Sequence, residues 1–285
     1  MRIPFTKMHG CGNDYIYVNC LNGDLPNPGA VSAAMSPRHF SVGADGLVLI
    51  CPSTVADVKM RMFNLDGSEG KMCGNAIRCV GKYLYDNKIT EKTEISVETL
   101  SGIKHLSLAV EGEKVNTVTV DMGYAVLRAS EIPVISESET VVDMPVTVGG
   151  KEYRITCVSM GNPHAVTFVP DTRKLDLETI GPAFEHHPMF PERVNTEFIQ
   201  VIDRKNLNMR VWERGSGETW ACGTGACAAV TAAVVNGYCD ADSPVTVHLV
   251  GGDLVITVGE DFRVQMTGGA AKVYEGVYEY ENQNQ

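Results

Sequence analysis

The chain repeats itself. Cys73-Gly74 and Cys222-Gly223 lie 149 residues apart (222 − 73), and the same offset carries Gly12-Asn13 onto Gly161-Asn162. It also carries Glu69 onto Glu218, Phe63 onto Trp212 and Gly102 onto Gly251. Two glycine-containing dipeptides in one register, with matching structural signals around them, indicate a duplicated unit. Strand patterns fall at 15–19 and 165–169, and alternating apolar residues at 57–63 and 206–212. Helical patterns fall at 30–40 and 175–187. After each Cys-Gly comes an apolar helical run, 75–85 and then 224–235, followed by strand pairs at 94–99 with 103–110 and at 245–250 with 254–258. A further strand is expected at 115–121, and 272–280 alternates as a strand that returns to the first half. The prediction is an α+β fold of two pseudo-symmetric halves, each a mainly antiparallel sheet or barrel wrapped around a central helix. The halves are expected at 1–122, joined by a returning strand within 268–285, and at 123–267, with the seam near 122–130.

Nine cysteines, an odd number with no Cys-x-x-Cys pair, argue against a zinc ribbon or a thioredoxin-like motif and for mostly reduced thiols. Cys79 and Cys227 lie inside helical runs, and Cys20, Cys51, Cys157 and Cys239 lie at element ends; these six read as small apolar fillers. Cys73 and Cys222 differ, because each immediately precedes a predicted helix. A thiol there feels the positive end of the helix dipole and unpaired N–H groups, both of which favour thiolate, and the same N–H groups bind carboxylates. Two facing halves would place two helix N-termini on either side of one cleft, with a sulfur on each face of a substrate carbon. That arrangement suits inversion of an α-carbon, one thiolate removing a proton and the other thiol delivering one.

Around the sulfurs, Glu213-Arg214 reads either as a recogniser of an amino-acid head group or as a surface ion pair. His164, in Gly161-Asn-Pro-His164, either poises a thiol or idles in an Asn-Pro turn. His186-His187 has no ligand spacing around it and reads as a solvated helix cap. A net charge of −11 argues against nucleic acid or an anionic membrane as the main partner. The opening Met1-Arg-Ile-Pro-Phe-Thr-Lys has no apolar stretch of signal-peptide length, so a cytoplasmic product is expected.

The motifs Lys7-Met-His-Gly-Cys-Gly-Asn-Asp14, Met62-Phe-Asn-Leu-Asp-Gly-Ser-Glu69, Met72-Cys-Gly-Asn75, Gly161-Asn-Pro-His164 and Glu213-Arg-Gly-Ser-Gly-Glu-Thr-Trp-Ala-Cys-Gly-Thr-Gly-Ala226 resemble, in order, those of diaminopimelate epimerase. The resemblance covers essentially the whole chain. It implies interconversion of LL- and meso-2,6-diaminopimelate without pyridoxal phosphate or metal, in lysine and cell-wall precursor synthesis. Cys73 would take the proton of the LL isomer and Cys222 that of the meso isomer, with His164 and Glu213 close to the thiols. Asn64, Asn162, Asn195 and Arg214 would hold the distal carboxylate, Glu213 the distal ammonium, and Asn13 the reacting end. Backbone N–H groups of Gly74, Asn75, Gly223 and Thr224 would bind the reacting carboxylate. A small amino-acid substrate and a homodimer are implied as partners. Gly46 stands where one branch of the family carries a substrate-contacting Gln, so that contact is absent or replaced here. Ala76 replaces a usual Gly, and Trp220 is a bulky neighbour of Cys222. The competing readings are a two-cysteine racemase of another amino acid, such as histidine, and a thiol redox protein. A monocarboxylate would leave Arg214 and three Asn side chains unpaired, at about 1–3 kcal/mol each.

Overall fold

In the computed structural model, which describes residues 1–281, a two-residue turn joins the strands Arg2–Gly10 and Asn13–Asn19. Both turn residues, Cys11 and Gly12, take positive φ (52° and 76°), which matches the right-handed twist of the paired strands. The second strand runs parallel to Gly46–Cys51, and a parallel step needs a crossover, here containing helix α1 (Pro28–Met35). Gly46–Cys51 pairs antiparallel with Val58–Asn64, which pairs parallel with Glu94–Thr99 across a second helix, α2 (Gly74–Asp86). Antiparallel strands Gly102–Glu111 and Lys114–Tyr124 follow. The C-terminal strand Ala271–Glu279 lies antiparallel on Arg2–Gly10.

The same order recurs 149 residues later. Lys151–Ser159 and Pro163–Phe168 form the hairpin, and helix α3 (Leu177–Glu185) lies in the crossover to the parallel strand Asn195–Asp203. Asn206–Glu213 follows, and helix α4 (Gly223–Val235) leads to Val245–Leu249 and Gly252–Val258. The outer partner of Lys151–Ser159 is Met144–Val148, the local counterpart of the C-terminal strand in the first copy. The chain divides into two compact units, Met1–Val120 with Gly268–Gln285, and Asp121–Thr267. Residues 282–285 of the expected returning segment lie outside those described. The fold is α+β; among the described residues antiparallel pairings are in the majority, and each unit has two parallel pairings.

Side chains keep the register as well as the backbone. Arg61 forks onto Glu69 (Nε–Oε1 2.7 Å), and Arg210 onto Glu218 (2.7 Å). Asn87 closes α2 by donating from Nδ2 to Tyr83 O (2.8 Å), and Asn236 closes α4 on Ala232 O (2.7 Å). Ile16, Leu49 and Phe63 pack on Met35 of α1, while Ala165, Phe198 and Trp212 pack on Phe184 of α3, each pair 149 apart. Along α2 one face is apolar, with Ile77, Val80 and Leu84 buried. Helix α4 is apolar nearly all round, its buried alanines allowing close approach to the strands of its own unit.

Two helices are shorter than their patterns predict. The 30–40 pattern yields Pro28–Met35, because the residue before Pro37 is disfavoured in a helix and Phe40 is exposed. The 175–187 pattern yields Leu177–Glu185.

At Gly46 the chain has no room for a side chain. A Cβ there would stand 2.1 Å from the Phe63 carbonyl oxygen and 3.0 Å from Tyr15 Cε1. A Gln-type contact from this position would require the strand to shift. Gly46→Ala is expected to lower unfolding free energy by about 1–3 kcal/mol, seen as a lower urea midpoint with an unchanged slope.

Candidate active site

Each of the two cysteines is the N-cap of its helix. Cys73 takes extended backbone (φ −134°, ψ 122°) before α2, and Cys222 nearly the same (φ −119°, ψ 110°) before α4. Gly74 with Asn75 and Gly223 with Thr224 occupy the first turns, whose amides a helix leaves for outside acceptors. The repeat therefore presents each sulfur beside an anion-binding helix end.

In the first unit, Cys73 Sγ donates to Asn13 Oδ1 (3.3 Å), and Asn75 Nδ2 approaches the same oxygen (3.4 Å). Asn13 Nδ2 in turn donates to Asp45 Oδ2 (2.7 Å). Asp45 is held by Arg38 (3.0 Å), which also binds Asp14 (2.6 Å), and buried Lys7 lies 2.5 Å from Asp14. An ionic network thus fixes the amide that touches the sulfur. Tyr15 is buried beside Asn13 and Cys73. Burial, then the charges of Cys73 and Asp45, hold that phenol well above its ordinary range. Asn64 is exposed at its strand end and donates from Nδ2 to Ser68 Oγ (3.0 Å).

In the second unit, Cys222 Sγ is buried, accepts from Gly225 N (3.3 Å) and lies 3.5 Å from Thr224 Oγ1. Half-buried Glu213, at the end of Asn206–Glu213, accepts from the Thr219 hydroxyl and lies beside Cys222. Buried His164 sits between Glu197 (Nδ1···Oε1 2.7 Å) and Asn162 (Nε2···Oδ1 3.0 Å). Asn162 Nδ2 donates to Thr224 Oγ1 (3.3 Å). Asn195 bridges the loops, donating to Pro163 O (2.8 Å) and accepting from Arg214 N (2.9 Å). The Arg214 guanidinium donates to Glu192 O (2.8 Å), using one of its five N–H groups. Glu185 anchors the same loop through Trp212 Nε1 (2.8 Å) and Gly215 N (2.9 Å).

The electrostatics of Cys222 correct the sequence expectation. Burial, followed by the charges of Glu213 and Glu197, pushes its thiol well above the ordinary range. The Thr224 and Gly225 hydrogen bonds pull the other way, as a helix N-terminus should, but desolvation and two carboxylates win. Burial likewise raises Glu213, the Thr219 hydrogen bond and the neighbouring Cys222 offsetting part of the rise. Cys79, fully buried in α2, is pushed up to about 12, mainly by burial, and stays a thiol at neutral pH.

Cys73 thus gathers Asn13, Asn75 and first-turn amides, and Cys222 gathers Asn162, His164, Glu213 and Thr224, with Asn195 and Arg214 on the adjoining loops. Sequence reasoning missed Tyr15, Asp45, Glu185, Glu197 and Thr219. The 149-residue offset could have found Tyr15, since it lands on His164; the other four carry no comparable signal. Trp220 is exposed and Ala76 fully buried.

The family profile described as diaminopimelate epimerase matches residues 5–128 and 156–273. A curated diaminopimelate epimerase of Acetivibrio thermocellus is 58% identical over 273 residues, covering 95% of this chain and 97% of that one. One from Methanococcus maripaludis is 56% identical over 275 residues, covering 96% and 99%. Among solved structures, a hydroxyproline epimerase of Agrobacterium vitis with bound trans-4-hydroxy-L-proline matches with a TM-score of 0.72 at 13% identity, covering 97% and 92%. A phenazine biosynthesis protein of the PhzF family from Bacillus anthracis matches with a TM-score of 0.73 at 16% identity, covering 98% and 100%. Both likenesses concern the fold.

Two pH effects follow. Because the folded state raises Glu213 above its unfolded pKa of about 4.3, stability from this group is present below that value and is lost as pH rises toward the folded one. Glu213→Gln is therefore expected to raise Tm relative to wild type at neutral pH, with the difference vanishing in acid. Alkylation of Cys222 by iodoacetamide, followed on its own peptide by mass spectrometry, should accelerate only above the ordinary thiol range near ~8.5. In Glu213→Gln that profile should move to lower pH, since one of the charges raising the thiol is gone.

Proposed function

The chain belongs to the diaminopimelate epimerase family, an isomerase family, and from that premise we propose that Cys73 and Cys222 exchange the α-proton of 2,6-diaminopimelate from opposite faces. The observation that carries the proposal is the pair of cysteine N-caps in matching backbone geometry, one in each copy of the repeat. The substrate carboxylate accepts from first-turn amides of both helices, which gain strength as negative charge builds on it in the transition state.

With the LL isomer, Cys73 is the base and Cys222 the acid. The raised proton affinity of Cys222 suits it to arrive as the thiol and give its proton to the far face. With the meso isomer the roles reverse, and Glu213, raised by burial and lying beside Cys222, receives the thiol proton. His164 serves proton traffic on the same side. Arg214, with Asn64, Asn162 and Asn195, holds the distal carboxylate, and Glu213 also faces the distal ammonium. The reaction needs no pyridoxal phosphate. We assign the protein to the cytoplasm as a homodimer and its two compact units to two domains. A racemase for a monocarboxylic amino acid would have no use for the Arg214 set, and a redox role would not require matched amide-lined pockets beside both sulfurs.

The deciding measurement is NMR of LL-diaminopimelate incubated with the protein in deuterated water without added cofactor. The expected outcome is meso product carrying deuterium at the α-carbon; exchange on histidine instead would reject the substrate and keep the chemistry. Cys73→Ala and Cys222→Ala are each expected to lower kcat by about 10²–10⁴-fold. Arg214→Lys should raise KM for diaminopimelate more than it lowers kcat, since an ammonium cannot reproduce a bidentate fork.

A further inference from the structure

Glu197 is fully buried on the strand Asn195–Asp203, where a charge has little water to stabilise it. Its Oε1 stands 2.7 Å from His164 Nδ1, and its Oε2 is buried with no hydrogen-bond partner. The start of α4 closes over it, since a Cβ on Gly225 would lie 2.7 Å from Oε1. From His164 a line of polar contacts continues through Asn162 (3.0 Å) and Thr224 (3.3 Å) to the Cys222 sulfur (3.5 Å). A carboxylate oxygen that accepts here places the ring proton on Nδ1 and leaves Nε2 an acceptor, which the Asn162 amide matches when turned over, its NH2 toward the ring and its oxygen accepting from the Thr224 hydroxyl.

The repeat shows that this carboxylate is not demanded by the fold. At the matching positions of the first unit, 149 residues earlier, stand Val48 for Glu197 and Tyr15 for His164, both buried on strands of the same pairing. The first copy fills the space with an aliphatic side chain. The second fills it with a buried acid aimed at an imidazole.

We propose that Glu197 is a positioning residue for the epimerisation: it fixes the His164 proton on Nδ1 and turns Nε2 toward Asn162 and the Cys222 side of the site. Glu197 accepts a hydrogen bond and transfers nothing itself. The proposal rests on reading the chain as a two-cysteine epimerase, but its structural half can be read without turnover.

The test is Glu197→Gln, an isostere whose amide can donate to Nδ1 and so release the tautomer. In ¹⁵N-histidine-labelled protein, the wild-type His164 signal should report a proton on Nδ1, and the variant should shift it toward Nε2. The expected kinetic result is a fall in kcat of about 10–100-fold with little change in KM. In a His164→Asn background, Glu197→Gln should cost nothing further, because the residue acts through the imidazole. Glu197→Val, the residue of the first unit, should keep the native near-UV circular dichroism and lose kcat to a similar degree. An unchanged His164 tautomer in Glu197→Gln, or losses that multiply in the double variant, would overturn the proposal. Wild-type protein silent on diaminopimelate would reject the reaction assigned above, while the ¹⁵N arm would still decide the dyad.

Discussion

A thiol buried at a helix N-terminus answers to two opposed demands, and the second unit is organised around that conflict. The helix end offers Cys222 the Gly225 amide and the Thr224 hydroxyl, both of which favour thiolate. Its surroundings are closed to water and hold two carboxylates, which favour thiol. Reversible proton exchange needs a group that neither state captures outright. The opposing terms meet at one sulfur because β-strand and helix deliver them separately: Glu213 and Glu197 from neighbouring strands, the amide from α4.

Duplication supplied two copies of one scaffold, and divergence then worked on a few buried positions. Backbone order, helix ends and the Arg-Glu forks on Val58–Asn64 and Asn206–Glu213 are shared. The positions beside the sulfurs are not. Asn64 answers to Glu213, Tyr15 to His164 and Val48 to Glu197, so acids and imidazole collect in the second copy. In the first copy the buried guanidinium of Arg78, bound to Gly74 O (3.1 Å) and Asn75 Oδ1 (2.9 Å), stands where the second has Cys227. Side chains of opposite character thus gather near two sulfurs of similar local geometry.

The repeat was legible because glycine and cysteine at fixed local geometry leave dipeptides that survive divergence. The α2 and α4 starts were legible for the same reason. Strand Gly46–Cys51 was harder: buried throughout, it reads as a continuous apolar run with no alternation to mark it. The helix ends were overextended because apolar periodicity ran on past Ser36 while Pro37 stopped the backbone. Within the site, the cysteines, His164 and Glu213 stand in motifs. Glu197 is an ordinary acid in an ordinary strand until the fold buries it. No spacing rule predicts a contact made across 33 residues between two parallel strands.

The strand Ala271–Glu279 lies against Arg2–Gly10, and the Tyr280 amide donates to the Met1 carbonyl (2.8 Å). Synthesis runs from the N-terminus, so every strand of Asp121–Thr267 leaves the ribosome before that partner does. The earlier-made half must therefore wait, with one edge of its first strand uncovered, while the later-made half already has all its own pieces. Such an open edge is a template for pairing with the wrong chain. The first unit thus completes its sheet only with the last strand to be made, although its other strands are made first.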